Sequence, residues 1–97
     1  MLFTVNKSPL MFGNLESALR IAPPGDPILL LEDGVYAAAG GAASEPMVAE
    51  ALAQRPIYAL KADLEARGVR RLVDGVQVID YEGFVELVEQ HHVVPWL

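Results

Sequence analysis

Apolar positions along the chain switch between two spacings, short runs of β-formers and stretches that repeat every three or four residues. Residues 2–6, LFTVN, favour a strand that stops at Ser8 and Pro9, because proline has no N–H to give to a ladder. Asn14 then precedes Leu15, Ala18, Leu19 and Ala22, whose i, i+3, i+4, i+7 spacing predicts one buried helical face. Glu16 early and Arg20 late suit the helix dipole, and PPGDP ends the helix. Residues 28–32, ILLLE, form an unbroken apolar run closed by an acid. That pattern belongs to a strand covered on both faces, as in parallel sheets, and predicts a central second strand.

Asp33 is placed to cap a short helix over GVYAAA, which Gly40 and Gly41 break. Ser44 opens a helix through EPMVAEALA, with Pro46 in its first turn. IYAL at 57–60 predicts the third strand, and KADLEARG a helix of about two turns that Gly68 closes in the left-handed conformation. Asp74 and Gly75 turn the chain into a fourth strand, VQVID at 76–80. Asp80 caps a last helix with Tyr81, Phe84, Val85 and Val88 on one face and Glu82, Glu86 and Glu89 towards water. VVPWL at 93–97 fits a fifth strand only at a sheet edge, since Pro95 excludes a central place. Strands alternating with helices imply right-handed βαβ units. The expected fold is α/β, a three-layer α/β/α sandwich with a mainly parallel four- or five-stranded sheet, in a single domain over 1–97.

Composition adds a partner to this picture. With 53% hydrophobic and 21% charged residues in 97, the chain is more apolar than a small core needs, so some apolar area is expected to meet another chain. A net charge of −6 argues against direct contact with nucleic acid. Arg67, Arg70 and Arg71 are the only basic cluster, and with no aromatic interleaved they read as solvated surface. The start MLFTVNKSP lacks a long apolar region, and no run approaches the roughly 20 residues of a membrane span; a cytoplasmic, membrane-free protein is expected. The chain has no cysteine, so no residue can carry a persulfide, a thiolate metal ligand or a disulfide.

Ligands of open α/β sheets bind beyond the carboxyl ends of the strands, which makes NKSP, EDG, KAD and DYEG the candidate loops. A small hydrolase would use Glu32 and Asp33 as acid and base with Lys7 as electrostatic stabiliser. Capping accounts for Asp33, whereas Glu32, at the end of a buried strand, needs a partner such as Lys7 or an arginine of another chain. Ser8 before proline reads as a turn residue beside Asn6 and Lys7. Gly40 and Gly41 lack the spacing of a phosphate loop, and the adjacent His91 and His92 point about 100° apart on a helix, so neither a nucleotide, a metal nor any other cofactor is expected. The alanine- and glycine-rich stretch 34–43 around Tyr36 serves equally as internal packing or as a face on which another backbone docks closely.

LFTVNKSP, LESALRIA, PGDPILLLEDGVYAA, LKADLEARGV and VIDYEGFVELVEQHHVVPWL, in this order and spacing, together resemble the TusB/DsrH family of sulfur-relay proteins over nearly the whole chain. The resemblance implies a DsrE-like fold and a place in a heterohexamer with TusC/DsrF-like and TusD/DsrE-like subunits, two copies of each. Such complexes pass persulfide sulfur towards 2-thiolation of the tRNA wobble uridine, or serve sulfur oxidation. DsrH-like members often have a cysteine in the first helix, at the position matched here by Ala18, and alanine cannot hold sulfur. The expectation is a non-carrying, non-enzymatic subunit with Glu32, Asp33, Tyr36, Gly40 and Gly41 as candidate docking residues. A homo-oligomeric interaction module without relay partners, self-associating when alone, and the small hydrolase are the alternatives.

Overall fold

A computed structural model describes residues 1–97. Five strands, β1 (Leu2–Val5), β2 (Ile28–Leu30), β3 (Ile57–Leu60), β4 (Gln77–Ile79) and β5 (Val93–Trp96), form one sheet in the order β4-β3-β2-β1-β5, all parallel. β2 is the middle strand and its three residues are fully buried, as the unbroken apolar run requires. β5 lies at an edge, where Pro95 sits opposite Thr4, and Trp96 meets Phe3 edge-to-face with centroids 5.8 Å apart.

The helices are α1 (Asn14–Ile21), α2 (Glu45–Leu52), α3 (Lys61–Ala66) and α4 (Tyr81–Gln90), with a 3₁₀ segment over Glu32–Ala38. From β1 to β4 the chain advances one strand at a time in one direction, so right-handed crossovers put α1, the 3₁₀ segment, α2 and α3 on the same face. The step from β4 back to β5 runs the other way and puts α4 on the opposite face. The two cores match this division. Leu15 and Ala18 of α1, Val35, Ala37 and Ala38 of the 3₁₀ segment, Val48 and Ala51 of α2 and Leu64 of α3 pack on one face with Phe3, Val5, Ile28, Leu30, Ile57 and Ala59. The other face holds the smaller core of Leu2, Leu29 and Leu87, flanked by Tyr58, Ile79, Phe84 and Val88.

Several local expectations need correction. Residues 34–39 do not form an α-helix capped by Asp33. The 3₁₀ segment begins at Glu32, follows Leu31, and has no capping side chain of its own. In a 3₁₀ helix residues three apart eclipse, and here Gly34 and Ala37, and Val35 and Ala38, all buried, are the small pairs that tolerate it. Glu32 is outside β2, exposed, and has φ +49°, so it is not the buried strand-end acid the apolar run suggested. α1 starts at Asn14 after Gly13, and Ser44 is buried at the start of α2 with no capping hydrogen bond. On α4 the buried residue is Leu87; Phe84 and Val88 are half-buried, whereas Tyr81 and Val85 are exposed. Two caps are as expected. Asp80 Oδ1 accepts from the Gly83 N–H at 2.9 Å, and Gly68, at φ +66°, closes α3 with Gly68 N–H to Glu65 O and Val69 N–H to Leu64 O.

Candidate functional site

A sheet with every strand parallel brings all its carboxyl ends to one edge, so Asn6–Ser8, Glu32–Asp33 and the start of α3 are neighbours there. Gly34 fixes the first two against each other. A Cβ on it would overlap the Val5 carbonyl oxygen and lie 2.9 Å from the Val5 carbonyl carbon, so only glycine lets the 3₁₀ segment lie against the end of β1. Val5 O in turn accepts from the Leu31 N–H at 3.1 Å.

The charged groups at this edge are organised by Asp63, the acid of the KAD loop, and by Arg67, which is not the solvated surface residue expected of the basic cluster but a half-buried, ion-paired one. Asp63 Oδ2 accepts the Glu32 N–H at 2.7 Å and thereby caps the 3₁₀ segment from α3. Arg67 donates from Nε to Asp33 Oδ1 at 2.8 Å, and its Nη1 lies 3.6 Å from Asp63 Oδ1 and donates to the Asp63 carbonyl at 3.4 Å. The hydrogen bond to Asp33 holds the Arg67 guanidinium above its usual pKa. Desolvation opposes this, and the charges of Asp33, Asp63 and Tyr36 add to it. The i, i+4 spacing of Asp63 and Arg67 in KADLEARG was the available signal that Arg67 turns inward; its 34-residue reach to Asp33 left no local trace.

Asp33 is thus held by an arginine, and Glu32 contributes a backbone amide. Lys7 does not pair with Glu32: its Nζ lies 5.5 Å from the Phe12 ring centroid. Ser8 is buried and works as a turn residue, its hydroxyl accepting the Leu10 N–H at 3.2 Å and its carbonyl the N–H groups of Met11 and Phe12. Asn6 carries a buried side-chain oxygen without a partner. No group of three His, Asp or Glu side chains converges, and no nucleophile stands beside a base at this edge. Two surface grooves lie elsewhere, one of about 220 Å³ between α1 and α2 and one of about 280 Å³ beside Gly40, Glu45 and Arg71.

In the alanine–glycine stretch, Gly34, Val35, Ala37 and Ala38 are buried within the chain. A Cβ on Gly40 would come within 3.3 Å of the Leu72 backbone, and the Gly40 N–H bonds the Arg71 carbonyl at 2.8 Å. Gly41 is exposed with open space around it and φ +88°. Tyr36 is half-buried, and Glu32 and Asp33 face solvent. Ala18 has no exposed surface.

The family model described as "DsrH like protein" matches residues 7–94. Curated relatives include Protein TusB of Serratia proteamaculans, 44% identical over 94 residues and 94% of each chain, and Protein TusB of Escherichia coli O1:K1, 40% identical over 94% of each chain. Among solved structures, the ychN protein from E. coli superposes with a TM-score of 0.83 at 22% identity, over 97% of this chain and 96% of that one. Protein Tm0979 from Thermotoga maritima gives 0.65 at 26% identity over 94% of both. At these identities the two structures speak for the fold, while the family match and the 40–44% identities speak for descent. The chain belongs to the TusB/DsrH family of sulfur-relay proteins.

Proposed function

We propose that this chain is a non-carrying subunit of a sulfur relay, assembled with TusC/DsrF-like and TusD/DsrE-like chains, two copies of each, and supporting persulfide transfer by a partner's cysteine. The observation that carries the proposal is the absence of cysteine in a member of this family. Sulfane-sulfur transfer needs a thiolate to attack a persulfide: one S–S bond breaks, another forms, and the donor leaves as thiolate. This chain supplies neither donor nor acceptor, so its contribution is to shape and hold chains that do. That its curated relatives are called TusB favours the branch leading to tRNA wobble-uridine 2-thiolation over the sulfur-oxidation branch. The engagement of Asp33 by Arg67 leaves no acid–base pair at the strand ends, which supports a role without catalysis of its own.

The exposed part of the strand-end edge, Glu32, Asp33 and the half-buried Tyr36, with Gly41 on the next loop, is offered as one docking region. Co-expression with the TusC-like and TusD-like chains of the same genome, followed by size-exclusion chromatography, tests the assembly. A complex containing all three chains is expected, in which persulfide loaded from a donor resides on a partner and never on this subunit. A monomer that ignores both chains overturns the proposal.

A further inference from the structure

The face of the sheet that carries α4 is covered by one ten-residue helix, whereas the opposite face carries α1, α2, α3 and the 3₁₀ segment. A helix is about 10 Å across and five strands at about 4.8 Å spacing span more than twice that, so α4 cannot cover its face alone. The helix shows the shortfall. At 100° per residue, Leu87, Phe84, Val88, Tyr81 and Val85 follow one another around an apolar arc, but only Leu87 is buried. The far end of the arc, Tyr81 at 64% and Val85 at 48% exposed, turns away from the sheet. Next around the helix come Glu89, Glu82 and Glu86, all exposed.

The charge of the chain is concentrated here. Residues 72–97 hold Asp74, Asp80, Glu82, Glu86 and Glu89 and no lysine or arginine, so this stretch carries all but one unit of the net charge of −6. None of these five acids forms a salt bridge within the chain. Against a second copy of the same surface, the three glutamates of one ridge would oppose the three of the other. Elsewhere in the chain Arg20 and Arg67 are paired and Arg55 is buried on backbone carbonyls, and the exposed, unpaired Arg70 and Arg71 are two adjacent charges in the loop after α3, which do not match a ridge of three glutamates along a helix.

We propose that the flank of α4 bearing Tyr81 and Val85, with its glutamate ridge, is a docking surface for a different relay chain, one that presents an apolar patch bordered by lysine or arginine. This rests on the relay reading above and adds to it the surface and the chemistry of its partner. Tyr81 and Val85 supply the area removed from water, and the ridge supplies orientation, a fast encounter and discrimination against self-association.

The test uses the purified chain and the TusC-like and TusD-like chains of the same genome, titrated calorimetrically at about 50 mM and about 500 mM salt. The triple variant E82K/E86K/E89K is compared with E16K/E50K/E65K, which makes the same change of charge on α1, α2 and α3 across the sheet. All six positions are exposed or on helix surfaces, and circular dichroism checks that each variant is folded. The α4 triple is expected to weaken binding of one relay chain by about tenfold or more and to abolish its salt dependence, with the control within about twofold of the parent. Val85→Arg is expected to weaken binding by a similar factor. Parent and α4 triple binding equally well would overturn the surface while leaving the relay reading intact. Failure of the parent to bind either chain would overturn both. A parent that self-associates, and is dispersed by the α4 triple, would assign the surface to a second copy and so overturn the choice of partner.

Discussion

Gly34→Ala tests whether the strand-end edge is built as described. The added methyl would overlap the Val5 carbonyl oxygen and sit 2.9 Å from its carbon, where ordinary contact begins at 3.4 Å. The obstacle is backbone, and it cannot retreat, because β1 is paired with β2 on one side and β5 on the other. Overpacking against yielding side chains costs about 1–3 kcal/mol, and the upper end applies to a rigid neighbour. Moving the 3₁₀ segment away instead stretches the Leu31 N–H to Val5 O bond, a further loss of about 1 kcal/mol. The sum, about 3–4 kcal/mol, is a large part of the roughly 5–15 kcal/mol by which a domain of this size is stable. A fall in Tm of about 12–30 °C follows. Urea titration followed through the single tryptophan, Trp96, gives the free energy, with Gly13→Ala as control because nothing lies within 4 Å of a Cβ there. A loss below about 1 kcal/mol for Gly34→Ala, at unchanged m-value, would refute the clamp between the 3₁₀ segment and β1.

Glu32→Gly should raise stability by about 0.5–1 kcal/mol in the same titration, since the residue sits exposed at φ +49° and glycine keeps the backbone amide that Asp63 accepts. Asp63→Ala removes the acceptor of that amide and one neighbour of Arg67, and is expected to cost about 1.5–3 kcal/mol. Because the Arg67 pKa is raised, whatever stability its pairing adds is fully present below the ordinary arginine value and lost only as pH climbs through the higher folded value; denaturation curves between about pH 6 and pH 9 should show no titration from it. Asp80→Ala should cost about 1 kcal/mol by uncapping α4, read by urea denaturation, with Asp80→Asn recovering most of it.

The sequence spoke most clearly where one local rule decided the outcome. ILLL could only be a central strand, Pro95 could only be tolerated at an edge, and Asp80 and Gly68 stand where a cap needs them. Around Glu32 the outcome depended on distant residues. Asp63, thirty-one positions away, takes the capping role that local chemistry offered to Asp33, and Arg67 then takes Asp33. Helical periodicity on α4 marked an apolar arc without saying how much of it the sheet would reach. Tyr81 and Val85 are left outside because the arc is wider than the side of α4 that meets the sheet through Leu87, Phe84 and Val88.

The position of Ala18 sharpens the argument about sulfur. If a thiol at this position were enough to make a carrier, Ala18→Cys would be one. The fold argues otherwise, because Ala18 lies on the inward face of α1 with no surface accessible to solvent, packed in the larger core. A cysteine there is a small apolar side chain whose thiol ionises reluctantly and meets no donor without opening α1. The substitution is expected to cost about 1 kcal/mol by overpacking. Its labelling by a thiol reagent under native conditions should be slower by about a thousandfold than that of Ala66→Cys at the exposed end of α3, a ratio corresponding to an opening free energy of about 4 kcal/mol. Denaturant should bring the two rates together. Native labelling of Ala18→Cys as fast as that of Ala66→Cys would show that α1 lifts readily from the sheet. The subunit would then be barred from carrying sulfur only by one side chain, and its role would be a matter of residue identity instead of architecture.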